Sequence, residues 1–188
     1  VSSLNTIDDE STAAVGSVLT AVIKGIKPTQ LSVTLVNGKM HGRVHISNIE
    51  DNFDEGKAIL ADFQPMQIIT VKIIGFRDMK TYNHLPVTKS VPKALAELSL
   101  KPSIVGPEET SLPVKVERND CTNGDKVACY VTSVTKKCVW VSINPSTRGR
   151  ISMLHFSENE NEVKKLMSIV KPGFAYTAYV LDQNDEHN

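Results

Sequence analysis

One pattern occurs twice in this chain, and it restricts the possible folds more than any other feature. Residues 42–47 read Gly-Arg-Val-His-Ile-Ser, and residues 149–153 read Gly-Arg-Ile-Ser-Met. An alternating apolar run precedes each: Leu31 to Leu35 in the first case, Val139 to Ile143 in the second. Each is followed by a polar stretch, a proline turn at Pro65 or Pro172, and another apolar run, Gln67 to Ile74 or Phe174 to Leu181. The Gly-Arg pairs and the prolines are both separated by 107 residues. Short strands repeated in fixed order imply two copies of one small β unit. Units of this kind mostly bind and seldom catalyse.

The chain's 188 residues accommodate two such units. Each has a thin core, so mutual packing or a partner is expected to stabilise it. A first residue of Val1 rather than Met points to a piece of a longer protein. No apolar run approaches the roughly 18 residues of a membrane span, and no signal peptide is recognisable. The three cysteines, Cys121, Cys129 and Cys138, are odd in number and lack metal-site spacing, which fits a reducing compartment. Formal net charge is zero, against a strongly basic nucleic-acid binder. Residues 13–102 nevertheless carry 11 Lys/Arg against 7 Asp/Glu, whereas residues 119–188 carry 8 of each.

Strands are expected at Val15 to Lys24, Gln30 to Val36, Arg43 to Ser47, Gln67 to Phe76 and Ala94 to Leu100. Asn37-Gly38 is the strongest hairpin signal. Residues 47–63 lose the alternation and read as a short helix. The second unit shows strands at Lys126 to Thr135, Cys138 to Ile143, Arg148 to Met153 and Phe174 to Leu181. Between the last two, Val163, Leu166, Met167 and Val170 have helical spacing. The fold expected is mainly β: two tandem five-stranded OB-fold barrels, each with a short helix between strands three and four. The sequence ends at Asn188 before a fifth strand of the second unit appears, so that barrel is expected either to be open at that edge or to take its last strand from beyond this segment. The expected division is a disordered tail over 1–12, a first repeat over 13–102, a Pro-rich linker over 103–118 and a second repeat over 119–188.

Gly42-Arg-Val-His-Ile-Ser47 resembles the signature of the RNA-binding repeat named after bacterial ribosomal protein S-one. Glu97-Leu-Ser-Leu-Lys101 resembles the strand that closes that repeat. The run Ile74 to Thr81, then His84 to Val87, then Glu97 to Ser103 is similar to a repeat of the Rrp-five family of ribosome-biogenesis factors, also called the programmed cell death protein eleven family. Arg148-Gly-Arg-Ile151 is similar to the repeat that follows. The resemblance implies a nucleolar factor of many repeats that acts in processing precursor ribosomal RNA and is not itself a nuclease. It also implies single-stranded precursor ribosomal RNA and other assembly factors as partners. The chain departs from the family where aromatics would stack on bases: Gln30 and Ser32 stand there in the first unit, Cys138 and Trp140 in the second.

Alternation places Trp140 and His45 on outer faces. Trp140 fits either base stacking or packing against the linker or the other unit. His45 fits either RNA contact or a bond to a neighbouring turn. Arg43, Arg148 and Arg150 fit phosphate recognition, or ion pairs with the acidic stretches Glu50 to Glu55 and Glu158 to Glu162. Lys72 reads as a solvated outer-face residue of strand four, and Lys136 and Lys137 as a basic turn beside Trp140. These eight residues are the candidate RNA contacts. Catalytic motifs and metal-ligand spacings are missing from the sequence, so no catalytic residue, metal, cofactor or small-molecule substrate is expected. The competing expectation is a protein-docking or spacer segment with little RNA affinity.

Overall fold

The computed structural model describes residues 14–35, 40–78, 94–106, 121–157 and 159–182. The hairpin turn read at Asn37-Gly38, the tail over 1–12 and most of the linker lie outside these residues. Five strands form the first unit: β1 (Val18–Lys27), β2 (Gln30–Leu35), β3 (His41–His45), β4 (Ile68–Asp78) and β5 (Ala94–Ser99). They close into a barrel of order β1-β2-β3-β5-β4. All neighbours are antiparallel except β3 and β5, which run parallel. The register of β1 shifts between Ile23 and Gly25, and that of β4 between Ile73 and Gly75. Such bulges bend a strand sharply and let a small barrel close.

Period-two patterning accounts for the barrel core. Leu31, Val33 and Leu35 of β2 point inward with Val44 of β3, Val71 and Ile73 of β4, and Ala96 and Leu98 of β5, all at most 2% exposed. The glycine of the repeated Gly-Arg pair has a steric role at the seam. Gly42 pairs with Ala96 across the parallel junction. A Cβ on Gly42 would lie 2.6 Å from Leu98 Cδ1 and 3.1 Å from the Ala96 carbonyl oxygen. Gly42→Ala is therefore expected to cost about 1–3 kcal/mol by overpacking the closed core. Urea denaturation checks this, and a loss under about 0.5 kcal/mol would mean that the seam accommodates the methyl group.

Residues 47–63 are not the helix that their sequence suggests. A 3-10 turn spans Ile46–Asn48, and successive turns follow. Gly56, at φ +75°, interrupts any helical run. Ile59 and Leu60 are buried in the barrel's core cluster from these turns, without forming a helix face. A four-residue helix, α1 (Pro102–Val105), opens the segment read as linker.

In the second unit β6 (Lys126–Val134), β7 (Cys138–Ser142), β8 (Arg148–Ser152) and β9 (Ala175–Tyr179) form an antiparallel sheet of order β8-β7-β6-β9. Helix α2 (Glu160–Ile169) lies between β8 and β9, with the Asn159 side chain accepting from the Asn161 N–H. Among the described residues no strand bridges β8 and β9, so this sheet is curled but open. Ile151 is only partly buried, whereas Val44, at the matching position of the first barrel, is fully enclosed. No helix among the described residues is long and apolar enough to cross a membrane.

The units share core. Tyr130 of β6 and Ala175 of β9 belong to the first barrel's cluster. Tyr130 packs on Phe53 and meets His45 edge-on, at centroid distances of 6.0 and 6.4 Å. The Gly56 N–H donates to the Ala175 carbonyl at 2.8 Å, and Ala58 bridges Phe174. Gly173, at φ +88°, sits where a Cβ would approach the Pro28 carbonyl oxygen at 3.1 Å.

Candidate nucleic-acid interface

The eight candidate residues separate into a buried group and an exposed group. Arg43, His45 and Lys72 do point away from their own barrel's interior, as alternation requires. The outer face around His45 and Arg77 is itself covered, however, because the β7–β8 turn lies against it. Arg43 and Arg77 each place Nε 2.6 Å from the same oxygen of Glu97, Oε1. All three side chains are at most 15% exposed. The partner of Arg43 is thus Glu97, not the acidic stretch Glu50 to Glu55. Burial draws the Arg77 pKa below its ordinary value, against the opposing pull of Glu97. Lys72 is 6% exposed rather than solvated.

His45 is 4% exposed and joins the two units. Its Nδ1 accepts the Ser47 backbone N–H at 3.2 Å, which assigns the ring proton to Nε2. Nε2 then donates to Ser142 Oγ at 3.0 Å, and Ser142 Oγ donates to the Asn144 carbonyl at 3.0 Å. Asn144 Oδ1 in turn accepts the N–H groups of Ser146 and Thr147, both at 2.8 Å. Burial, then the charges of Arg43, Arg77 and Arg148, push the imidazole down to about 3. A neutral ring is what this relay needs.

The exposed group lies on the outer face of β7 and β8. Trp140 is 43% exposed and stands directly across from Arg150. Arg148 is exposed two residues along, opposite Ser142. Lys136 and Lys137 form the exposed turn between β6 and β7. That turn is tied by Thr135 Oγ1, which donates to the Cys138 carbonyl at 2.8 Å and accepts the Cys138 N–H at 3.1 Å. Lys136, Lys137, Trp140 and Arg150 line a hollow of about 500 Å³ together with Thr135, Cys138 and Ser152. Its lining combines one indole with three cations, two hydroxyl groups and a thiol. Among the described residues no group of three or more His, Cys, Asp or Glu side chains could hold a metal ion.

Sequence reasoning missed Glu97, Arg77, Ser142 and Tyr130. Glu97 carried a signal, a lone carboxylate within the apolar run Ala94 to Leu100. Ser142 carried none, because its role exists only across the interface.

A barrel of this order invites comparison with known proteins. The family model described as "Protein RRP5 homolog-like, OB domain" matches residues 3–105. The chain belongs to that family. The Ile74 to Ser103 strings that resemble the family lie inside the match. Among curated RRP5 relatives, the rRNA biogenesis protein rrp5 of Schizosaccharomyces pombe is 34% identical over 174 residues, 90% of this chain and 10% of that protein. Protein RRP5 homolog of Homo sapiens is 33% identical over 153 residues, 76% of this chain and 8% of that protein. The rRNA biogenesis protein RRP5 of Arabidopsis thaliana is 29% identical over 179 residues, 94% of this chain and 9% of that protein. The chain thus spans about a tenth of the length of the RRP5 relatives it matches. The intact alpha subunit of aIF2 from Pyrococcus abyssi is similar at a TM-score of 0.36 and 19% identity, over 47% of this chain and 28% of that one, too slight a likeness to argue from.

Proposed function

We propose that this chain is a non-catalytic RNA-binding segment of a nucleolar factor in precursor ribosomal RNA processing and subunit assembly. In this reading residues 13–102 and 119–188 are consecutive S-one-type repeats, and single-stranded RNA lies on the outer face of β7 and β8. The observation that carries it is Trp140, half-exposed and directly opposite Arg150. An exposed indole gives a base a stacking surface worth about 1–3 kcal/mol. Arg148, Arg150, Lys136 and Lys137 surround it with charge for the phosphates. The relatives named as rRNA biogenesis proteins support the biological setting.

A second reading applies to the first repeat. Its corresponding face holds no aromatic at Gln30 or Ser32, and His45 is covered by the second unit. That repeat serves as a scaffold, and other assembly factors remain candidate partners for the pair.

Titrating the chain with labelled single-stranded precursor ribosomal RNA at several salt concentrations tests the proposal. Trp140→Ala is expected to weaken binding by about 5- to 150-fold, the stacking energy expressed as affinity. Replacing Lys136, Lys137, Arg148 or Arg150 with alanine should reduce the slope of log affinity against log salt by about 0.7 for each phosphate no longer neutralised. Wild-type binding indifferent to Trp140 and to salt would remove this face from consideration.

A further inference from the structure

We propose that His45 and Arg77, on the first unit, are positioning residues for the RNA-contacting face of the second. This rests on the reading of the β7–β8 face as the RNA site. Two strands of the first barrel grip one turn of the second sheet. From β3, His45 Nε2 donates to Ser142 Oγ at 3.0 Å. From β4, Arg77 Nη2 donates to the Pro145 carbonyl at 3.1 Å. The gripped turn is then locked internally by the bonds of Ser142 and Asn144.

The grip bears directly on the cations. Ser142 is the cross-strand partner of Arg148, and the next pairs along are Val141 with Gly149 and Trp140 with Arg150. Fixing Ser142 therefore fixes the end of the ladder that carries Arg148 and sets the register of the two pairs behind it. Ordering a loose backbone costs conformational entropy at every residue fixed. When the first unit has already ordered the turn, RNA binding does not bear that cost. The coupling is reciprocal, so RNA bound on β7 and β8 tightens the contact between the units by the same factor.

The test uses the whole chain and two variants, His45→Asn, which removes only the bond across the units, and Ser142→Ala, which removes that bond and the Ser142–Asn144 bond within the turn. Asparagine can still accept from the Ser47 N–H but falls short of Ser142. In the RNA-free chain, amide hydrogen exchange over residues 142–148 is expected to accelerate at least about tenfold in both variants. Affinity for a single-stranded oligouridylate, read from the fluorescence of Trp140, the sole tryptophan, is expected to fall at least about fivefold, the lower end of ordinary coupling between sites. The salt slope should stay at its wild-type value, because no phosphate-binding cation is removed. His45→Gln, whose amide reaches Ser142, should recover part of the affinity. Unchanged exchange in His45→Asn would overturn the grip itself, whatever Ser142→Ala does. Faster exchange with unchanged affinity, or a reduced salt slope, would overturn the positioning role. A wild-type chain that binds neither oligouridylate nor the precursor ribosomal RNA overturns the RNA reading and with it the affinity half of this proposal, while the exchange data still decide whether the grip exists.

Discussion

Replacing Glu97 with glutamine is expected to cost the chain about 3–5 kcal/mol of stability, the usual loss when a buried ion cluster is deprived of one partner. The reason is the geometry of the charge. One carboxylate oxygen serves Arg43 and Arg77 at once, each at 2.6 Å, in a site at most 15% exposed. Removing the negative charge leaves two half-desolvated guanidinium groups facing each other across a neutral amide. Either arginine alone should be less costly to remove, since Glu97 keeps the other. Chemical denaturation of Glu97→Gln, Arg43→Gln and the double variant measures this. A loss below about 1 kcal/mol in Glu97→Gln would place the cluster with exposed ion pairs, which contribute little. The double variant should be less destabilised than the sum of the two singles, because the partners share one interaction.

Acidification is expected to weaken the chain through His45 in a window that its environment defines. The folded-state value is about 3, below the ordinary 6.5. A lowered value means that the unfolded chain takes up the proton first. The contribution of His45 is therefore complete above pH 6.5 and declines as pH falls from 6.5 towards 3. The loss amounts to about 1.4 kcal/mol per pH unit, or roughly 3 kcal/mol at pH 4.5. The groups that hold the value down are burial first, then Arg43, Arg77 and Arg148. Tyr130 stands perpendicular to the ring, with centroids 6.4 Å apart, and brings no compensating charge. Protonation would also turn Nδ1 into a donor facing the Ser47 N–H. Stability measured against pH for the wild type and His45→Gln isolates this group from the carboxylates, which titrate in both. Parallel curves between about pH 6.5 and 4.5 would show that His45 does not titrate on unfolding.

The interior of the first barrel was legible from alternation. Leu31, Val33 and Leu35 face in as their spacing requires, and the strands lie within a few residues of their expected limits. The same rule misread the other face. Alternation separates the two sides of a strand but does not say what lies beyond the outer side. Arg43 and His45 therefore read as solvent-facing, although a second unit covers them. Trp140 and Arg150 obey the same alternation, and there the outer side remains open. Residues 47–63 read as a short helix, but Gly56, at φ +75° within that run, breaks it and turns take its place. The hydrogen-bond relay through Ser142 lay beyond sequence reasoning altogether, because its members stand 97 residues apart.

The shared core also makes synthesis of this chain a matter of order. A ribosome working from the N-terminus completes all five strands of the first barrel before it reaches Tyr130 or Ala175. Until those residues emerge, the site around Phe53 and His45 that Tyr130 fills presents apolar surface to water. Nascent domains with uncovered surface are the species that aggregate or attract chaperones. Translation pausing before β6 would prolong that exposure, and arrival of β6 and β9 would end it. The second unit thereby finishes the folding of the first.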